Sequence, residues 1–260
     1  MTGSVDATVC ATAQAGTEGK TMRIVAWNCN EGLKRDLPAV RALGADLAVL
    51  AEVGPVPPPD SLFDPAPSWH FVDDGVPSHG MALAGLTADL TPFACEGDTG
   101  LLSVAGEHPS GLGILGICSR KQDGSTYGAE VARSIEAHRS WLTSKPCVVA
   151  GDFNLAPGGI EDRRNGACRA VFDQLAEMGY VSVYHHTTGD AYGEESAATY
   201  FHRRHADEGF FIDHCFVHQD LLPSVTGFQI GDYDTWVAAG SAGPGHSDHV
   251  PLILDLALPS

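Results

Sequence analysis

The stretch Asp46-Leu-Ala-Val-Leu-Ala-Glu52 constrains the chain most, with five consecutive apolar residues bounded at both ends by carboxylates. It is too short for a typical helix and shows no apolar/polar alternation, so it reads as a strand buried on both faces. Similar segments recur. Met22-Arg-Ile-Val-Ala-Trp-Asn28 runs into an amide, Cys147 to Ala150 runs into Gly151-Asp152-Phe153-Asn154, and Asp213 sits within the apolar run Phe211 to Val217. Buried strands that end in oxygen-bearing side chains predict one shared polar edge.

The remaining punctuation sets a coarse order of elements. A helix is expected from about Asp36 to Leu43, with Asp36 as cap, Pro38 in the first turn and Gly44 as the stop. The four prolines between Gly54 and Pro59 require a loop, and Trp69–Val72, Met81–Leu86 and Leu112–Cys118 read as strands. Helical spacing runs from Gly128 to Thr143, where Val131, Ile135 and Leu142 share a face and Ser125 or Thr126 can cap. A second helix spans Arg169–Met178 and stops at Gly179, followed by strands near Tyr180–Tyr184, Thr199–His202, Phe211–Val217 and Val250–Leu256. The pattern predicts an α/β protein of two packed sheets flanked by helices, a single domain over residues 22–260. Residues 1–21 are rich in Ala, Thr and Gly and lack the basic and apolar regions of a secretion signal, so they read as an extension.

Charge narrows the function. The formal net charge is −18 with only four lysines, so the long-range field repels polyanions and weighs against non-specific duplex binding. A bound cation and a few arginines can still reverse the potential locally. No apolar stretch is long enough to span a bilayer, and no basic amphipathic helix or lipidation signal suggests membrane attachment. The seven cysteines come no closer together than the 19 positions between Cys10 and Cys29, which argues against a disulfide framework or a Cys-x-x-Cys knuckle. A monomer in a reducing, cytoplasmic setting is the expectation.

Several carboxylates converging on one edge repel each other unless a hard cation such as Mg²⁺ or Mn²⁺ neutralises them. The segment Gly245-His-Ser-Asp248-His249 adds an imidazole beside an acid immediately before a strand. Taken singly, an Asp or Asn after a strand is an ordinary turn former, so the set carries the reading. Arg163-Arg164 and Arg203-Arg204 are arginine pairs close to these motifs; each is equally readable as a solvated loop pair or as a phosphate contact. His185, His186, His214 and His218 suggest zinc, but His214 and His218 lie four apart in an expected strand, too far along the chain for a ligand pair. Packing and hydrogen-bonding roles are expected for them. Cys29, Cys147 and Cys215, in apolar strands, read as small hydrophobes.

The blocks Trp27-Asn28-Cys29-Asn30, Leu50-Ala51-Glu52, Gly151-Asp152-Phe153-Asn154, Ile212-Asp213 and Ser247-Asp248-His249 occur in the order characteristic of the endonuclease/exonuclease/phosphatase superfamily, and the resemblance covers residues 22–256. It implies a four-layer α/β sandwich of the deoxyribonuclease I-like kind and a metal-dependent phosphoester hydrolase, with nucleotide or nucleic acid among its substrates. By the same resemblance Glu52, supported by Asn28 and Asn30, would hold the metal, with Asp248 near the metal or the attacking water. Asp152 would orient or deprotonate the attacking water, Asn154 would bind the scissile phosphate, and His249, paired with Asp213, would hydrogen-bond that phosphate as charge builds on it. Many members of the superfamily place a His or Tyr at the end of the strand corresponding to Leu112–Cys118, where this chain has Cys118-Ser119-Arg120. Arg120 or Tyr127 are the candidates to replace it, against plainer readings as a surface arginine and a packing tyrosine. A catalytically silent binding domain is the rival; loss of Glu52, Asp152 or His249 would betray it, and all three are present. A DNA-repair AP endonuclease is disfavoured by the negative charge.

Overall fold

The computed structural model describes residues 21–31, 41–54, 68–76, 79–95, 102–122, 124–238 and 247–258. The expected helix over Asp36–Leu43 and the proline loop lie largely outside these, as does nearly all of the N-terminal extension. Two six-stranded mixed sheets form the centre. In the first, β1 (Thr21–Asn28) pairs in parallel with β2 (Leu47–Val53). They are flanked by β3 (Ser68–Val72) and β4 (Gly80–Gly85) on one side, and by β13 (Val225–Ile230) and β14 (Leu252–Ala257) on the other.

The second sheet is built on the parallel pair β7 (Gly113–Cys118) and β8 (Cys147–Asp152). β5 (Thr91–Phe93) and β6 (Ser103–Glu107) extend it beyond β7, while β12 (Asp213–His218) and β9 (Tyr180–Ser182) extend it beyond β8. Each sheet thus has one parallel pair at its centre, and the two pairs end in Asn28 opposite Ala51 and in Cys118 opposite Asp152.

Alternation explains why these strands lack a polar face. Ile24, Ala26 and Val49 join Ile114, Val148, Ala150 and Cys215 in the core between the sheets. Val25, Trp27, Ala48 and Leu50 point the other way, onto Trp236, Val237 and Phe201. On the far side of the second sheet, Leu115, Ile117 and Val149 are covered by α1 (Tyr127–Ala137), α2 (Arg139–Leu142) and α4 (Ala167–Glu177), after the short α3 (Ile160–Asn165). Both faces of each central strand are therefore dry.

Local chemistry adjusts several boundaries. Thr126 caps α1, its side chain accepting from the Ala129 N–H. The expected long helix breaks at His138, whose ring donates through Nδ1 to the Ser134 carbonyl at 2.8 Å. The strand expected through Tyr184 stops at Ser182, because α5 (Val183–Thr188) starts there, with Ser182 Oγ 2.8 Å from His185 Nδ1 and the Thr187 and Thr188 hydroxyls bonded back to Val183 and Tyr184 carbonyls. No helix among the described residues is long and apolar enough to cross a membrane. The six described cysteines form no disulfide, and burial pushes the Cys168 and Cys215 thiols up to about 12.

Candidate active site

The two parallel pairs bring Asn28 and Asp152 to the same edge, where Asn28 Nδ2 donates to Asp152 Oδ2 at 3.0 Å. Asp152 is held from its own side too: the Asn154 backbone N–H donates to Oδ1 at 2.9 Å, and Asn154 Nδ2 to Oδ2 at 3.0 Å. Two backbone features make this turn. Gly151 has φ 137°, and a Cβ there would lie 2.1 Å from the Ile117 carbonyl oxygen, so only glycine lets β8 run this close to β7. Asn154 then takes φ 52°, a left-handed conformation that Asn tolerates better than most residues.

Asp213 begins β12 directly opposite Asp152. Its Oδ2 accepts from His249 Nδ1 at 2.8 Å, and both side chains are buried. A carboxylate only accepts, so Nδ1 carries a proton and Nε2 is left facing Asp152 Oδ2, 4.0 Å away. His249 is itself fixed by its backbone: Trp27 Nε1 donates to its carbonyl at 3.0 Å, and Ser247 Oγ accepts from its N–H at 3.0 Å while donating to the Asn28 carbonyl at 2.6 Å. Asn30 Nδ2 reaches Asp248 Oδ1 at 3.2 Å.

Glu52 sits where the β2–β4 register shifts, at φ 52°, and its carbonyl accepts from the Glu31 N–H at 2.9 Å. The shift is a bulge that re-aims one side chain out of the strand's alternation.

The electrostatics are lopsided. Burial, then the Asp213 charge, raise the Asp152 carboxyl above the usual carboxylate range, opposed by His249 and the bonds from Asn28 and Asn154. Burial works against charging His249, but the Asp213 charge and hydrogen bond, with Asp152 and Asp248, outweigh it and raise the imidazolium well above an ordinary histidine. Burial and the charges of Asp152, Glu52 and Asp213 push the Cys118 thiol up, which keeps it protonated and unsuited as a ligand. The ligand atoms of Asp152, Asp213 and His249 lie within 4.8 Å of one another, a spacing at which a metal ion could be held by the carboxylates, though not by a His249 ring that keeps both its protons. A surplus of carboxylate oxygens around one imidazole fits a hard divalent cation.

Of the residues singled out in the sequence, Asn28, Asn30, Asp152, Asn154, Asp213, Asp248 and His249 fall into one bonded cluster. Arg163 and Arg164 do not join it: they lie exposed on α3, with Arg163 bonded back to the Gly158 carbonyl. Arg203 and Arg204 form the exposed turn of a hairpin between β10 (Tyr200–Phe201) and β11 (Gly209–Phe210), both at positive φ. That hairpin is laced to the His249 segment, since Phe201 N–H donates to the Asp248 carbonyl and Val250 N–H to the Thr199 carbonyl.

Two site residues escaped the motif reading. The Tyr200 ring lies 4.8 Å from the His249 ring, and its hydroxyl pKa is raised by burial and then by Asp248, Asp152 and Glu52. Thr199, fully buried, accepts at Oγ1 from the Ile212 and Asp213 N–H groups at 3.0 and 2.9 Å. Nothing in the local sequence distinguishes them from other strand residues. His214 is buried against aromatic rings and bonded to the Leu155 carbonyl, as a packing role requires.

No family model and no curated protein matches the sequence. Solved structures do match in three dimensions. A 3'-5' exonuclease, NExo, from Neisseria meningitidis superposes with a TM-score of 0.69 at 20% identity, covering 90% of this chain and 99% of that one. An AP endonuclease from Archaeoglobus fulgidus gives 0.66 at 18% identity over 90% and 98% of the two chains. The endonuclease domain of TRAS1, a telomere-specific non-LTR retrotransposon, gives 0.63 at 15% identity over 93% and 100%. The fold is the deoxyribonuclease I-like sandwich, two six-stranded mixed sheets with helices around them.

Proposed function

We propose that the chain is a divalent-metal-dependent hydrolase of phosphoester bonds, acting on nucleic acid or a nucleotide, with Mg²⁺ or Mn²⁺ as cofactor. The observation that carries this reading is the buried Asp213–His249 pair facing Asp152 across 4.0 Å at the common edge of two sheets. Three structural neighbours support it by name, the AP endonuclease, the TRAS1 endonuclease domain and NExo, and NExo is also described as a 3' phosphatase bound to product DNA hairpin.

Glu52, Asn28, Asn30 and Asp248 would hold the ion, which when bound neutralises phosphate charge and acidifies a coordinated water. Asp152, oriented by Asn28 and Asn154, takes the proton of the attacking water. Asn154, whose two amide N–H donors go to Asp152 Oδ2 and the Ser119 carbonyl, would turn one of them to the phosphate when substrate binds. His249, kept protonated by Asp213, donates through Nε2 to a phosphoryl oxygen as negative charge accumulates there. Arg203 and Arg204, on the hairpin tied to the His249 segment, approach flanking phosphates, whereas Arg163 and Arg164 would reach a longer substrate from α3.

Hydrolysis of bis-p-nitrophenyl phosphate and p-nitrophenyl phosphate tests the reading, measured with Mg²⁺, Mn²⁺ or EDTA on wild type and Asp152→Ala. Metal-dependent turnover is expected, reduced about 10³-fold in kcat by the substitution. Equal turnover in EDTA, or by the variant, sinks it.

A further inference from the structure

A second chain of polar side chains flanks the site, on residues the mechanism above does not use. Arg120 follows Ser119, whose N–H donates to the Asp152 carbonyl at 2.8 Å and whose carbonyl accepts from Asn154 Nδ2 at 3.1 Å. Strand order gives its side of the site. β7 lies on one flank of β8 and β12 on the other, so Arg120, just past β7, and the Asp213–His249 pair, at the start of β12, lie on opposite flanks of Asp152. Neighbouring strands are about 4.8 Å apart, so the two flanks lie about 10 Å apart at the backbone, a gap that long side chains reach into from either side.

The guanidinium is held in place. Nη1 donates to Asp74 Oδ2 at 2.9 Å and Nη2 to His79 Nδ1 at 2.6 Å. An arginine only donates, so Nδ1 is the lone-pair nitrogen of His79, and the proton on Nε2 is directed to Glu31 Oε1. Glu31 adjoins Asn30, while Asp74 and His79 lie between β3 and β4, so the chain Glu31–His79–Arg120–Asp74 laces the rim of the first sheet to the end of β7 in the second. Among the described residues two of its five donors are used. The Arg120 side chain is still 35% exposed, which leaves the rest of the fork presented to solvent.

We infer that Arg120 is a substrate-phosphate contact, with Asp74 and His79 as the residues that position it. A surface arginine ordinarily gives up much of its rotamer freedom on binding an anion; one already fixed by two partners gives up less, and its planar fork matches paired phosphate oxygens. The carboxylate-rich edge also calls for a cation on the flank that His249 does not cover. The inference rests on the phosphoester reading of the site.

The probe is inorganic phosphate, titrated calorimetrically into the full chain with Mg²⁺ present, alongside KM and kcat for p-nitrophenyl phosphate. Arg120→Ala is expected to weaken phosphate binding roughly 10- to 100-fold and to raise KM more than it lowers kcat. Guanidinium ion in solution should restore part of the loss, and Arg120→Lys should retain only part of the affinity. Asp74→Asn, which keeps an acceptor and removes the charge, should raise KM by a smaller factor with kcat nearly unchanged. Unfolding midpoints of all variants report whether the fold is intact. Phosphate affinity within twofold of wild type in Arg120→Ala, or no phosphate binding by the wild type, overturns the inference. Arg120-dependent phosphate binding without turnover of any ester leaves the contact standing and removes the hydrolase; turnover with KM and phosphate affinity indifferent to Arg120 does the reverse.

Discussion

Asp213 and His214 are neighbours on β12 that face opposite ways and are treated oppositely by the fold. Asp213 points to the edge and holds His249. His214 points into the outer aromatic layer, with ring centroids 5.1 to 5.2 Å from Phe211, Phe153 and Phe172, and donates through Nε2 to the Leu155 carbonyl at 2.7 Å. Its Nδ1 is buried without a hydrogen-bond partner among the described residues. Burial lowers its pKa to about 4, against the smaller raising effects of the Leu155 bond and the Asp213 charge. The neutral ring is thus the form the fold accepts. Between about pH 6.5 and 4 the unfolded chain binds more protons, so this contribution is complete above 6.5 and lost as pH falls towards 4, about 3 kcal/mol in all. Urea unfolding at pH 7, 5.5 and 4.5 should show wild type losing stability more steeply than His214→Gln. Parallel pH dependences would refute the assignment.

At the scale of elements, the site depends on strands being ended in particular ways: a bulge at Glu52, a glycine-only approach at Gly151, and the hairpin whose Thr199 hydroxyl ties down the start of β12. Thr199→Val keeps the shape but strands the Ile212 and Asp213 N–H groups in a buried setting. It should cost about 2 kcal/mol or more and lower kcat by moving Asp213. Denaturation midpoints and turnover measured together check this, and an unchanged midpoint would remove Thr199 as an anchor. The central strands were legible because dryness on both faces leaves an uninterrupted apolar run, and Asn28, Asp152, Asp213 and His249 because they stand beside or within such runs. β5, β6 and β13 were not, since β5 and β13 are half-exposed edge strands and β6 offers only Ser-Val-Ala-Gly-Glu. α5 was hidden because Val183 and Tyr184 read as strand, while the Ser182–His185 side-chain bond and the back-bonded threonines decided otherwise. The arrangement of Asp74, His79 and Arg120 depends on loops from different sheets meeting, which no local pattern encodes.

The whole molecule carries −18, while the proposed activity brings phosphate to its site. Approach of a polyanion is then opposed at long range and favoured only within the reach of His249, the arginines and a bound cation. Added salt screens the distant repulsion first, with a Debye length of about 10 Å at 0.1 M. For an oligonucleotide substrate, kcat/KM should therefore rise between about 0.01 and 0.1 M NaCl, opposite in sign to a basic nuclease. A monotonic fall over that range would show that local contacts dominate the encounter.

The bonds from Trp27 to the His249 carbonyl and from Ser247 to the Asn28 carbonyl join residues more than two hundred positions apart. Closing a loop of that length is among the slowest contacts a chain makes. The candidate active edge is accordingly complete only when that loop closes, and because β14 follows the His249 segment directly and pairs with β1, the closure and the sheet belong together: a chain without it carries the acidic residues without the imidazole. Under the proposed activity, recovery of turnover during refolding thus becomes a clock for the docking of that segment and the β1–β14 pairing that accompanies it.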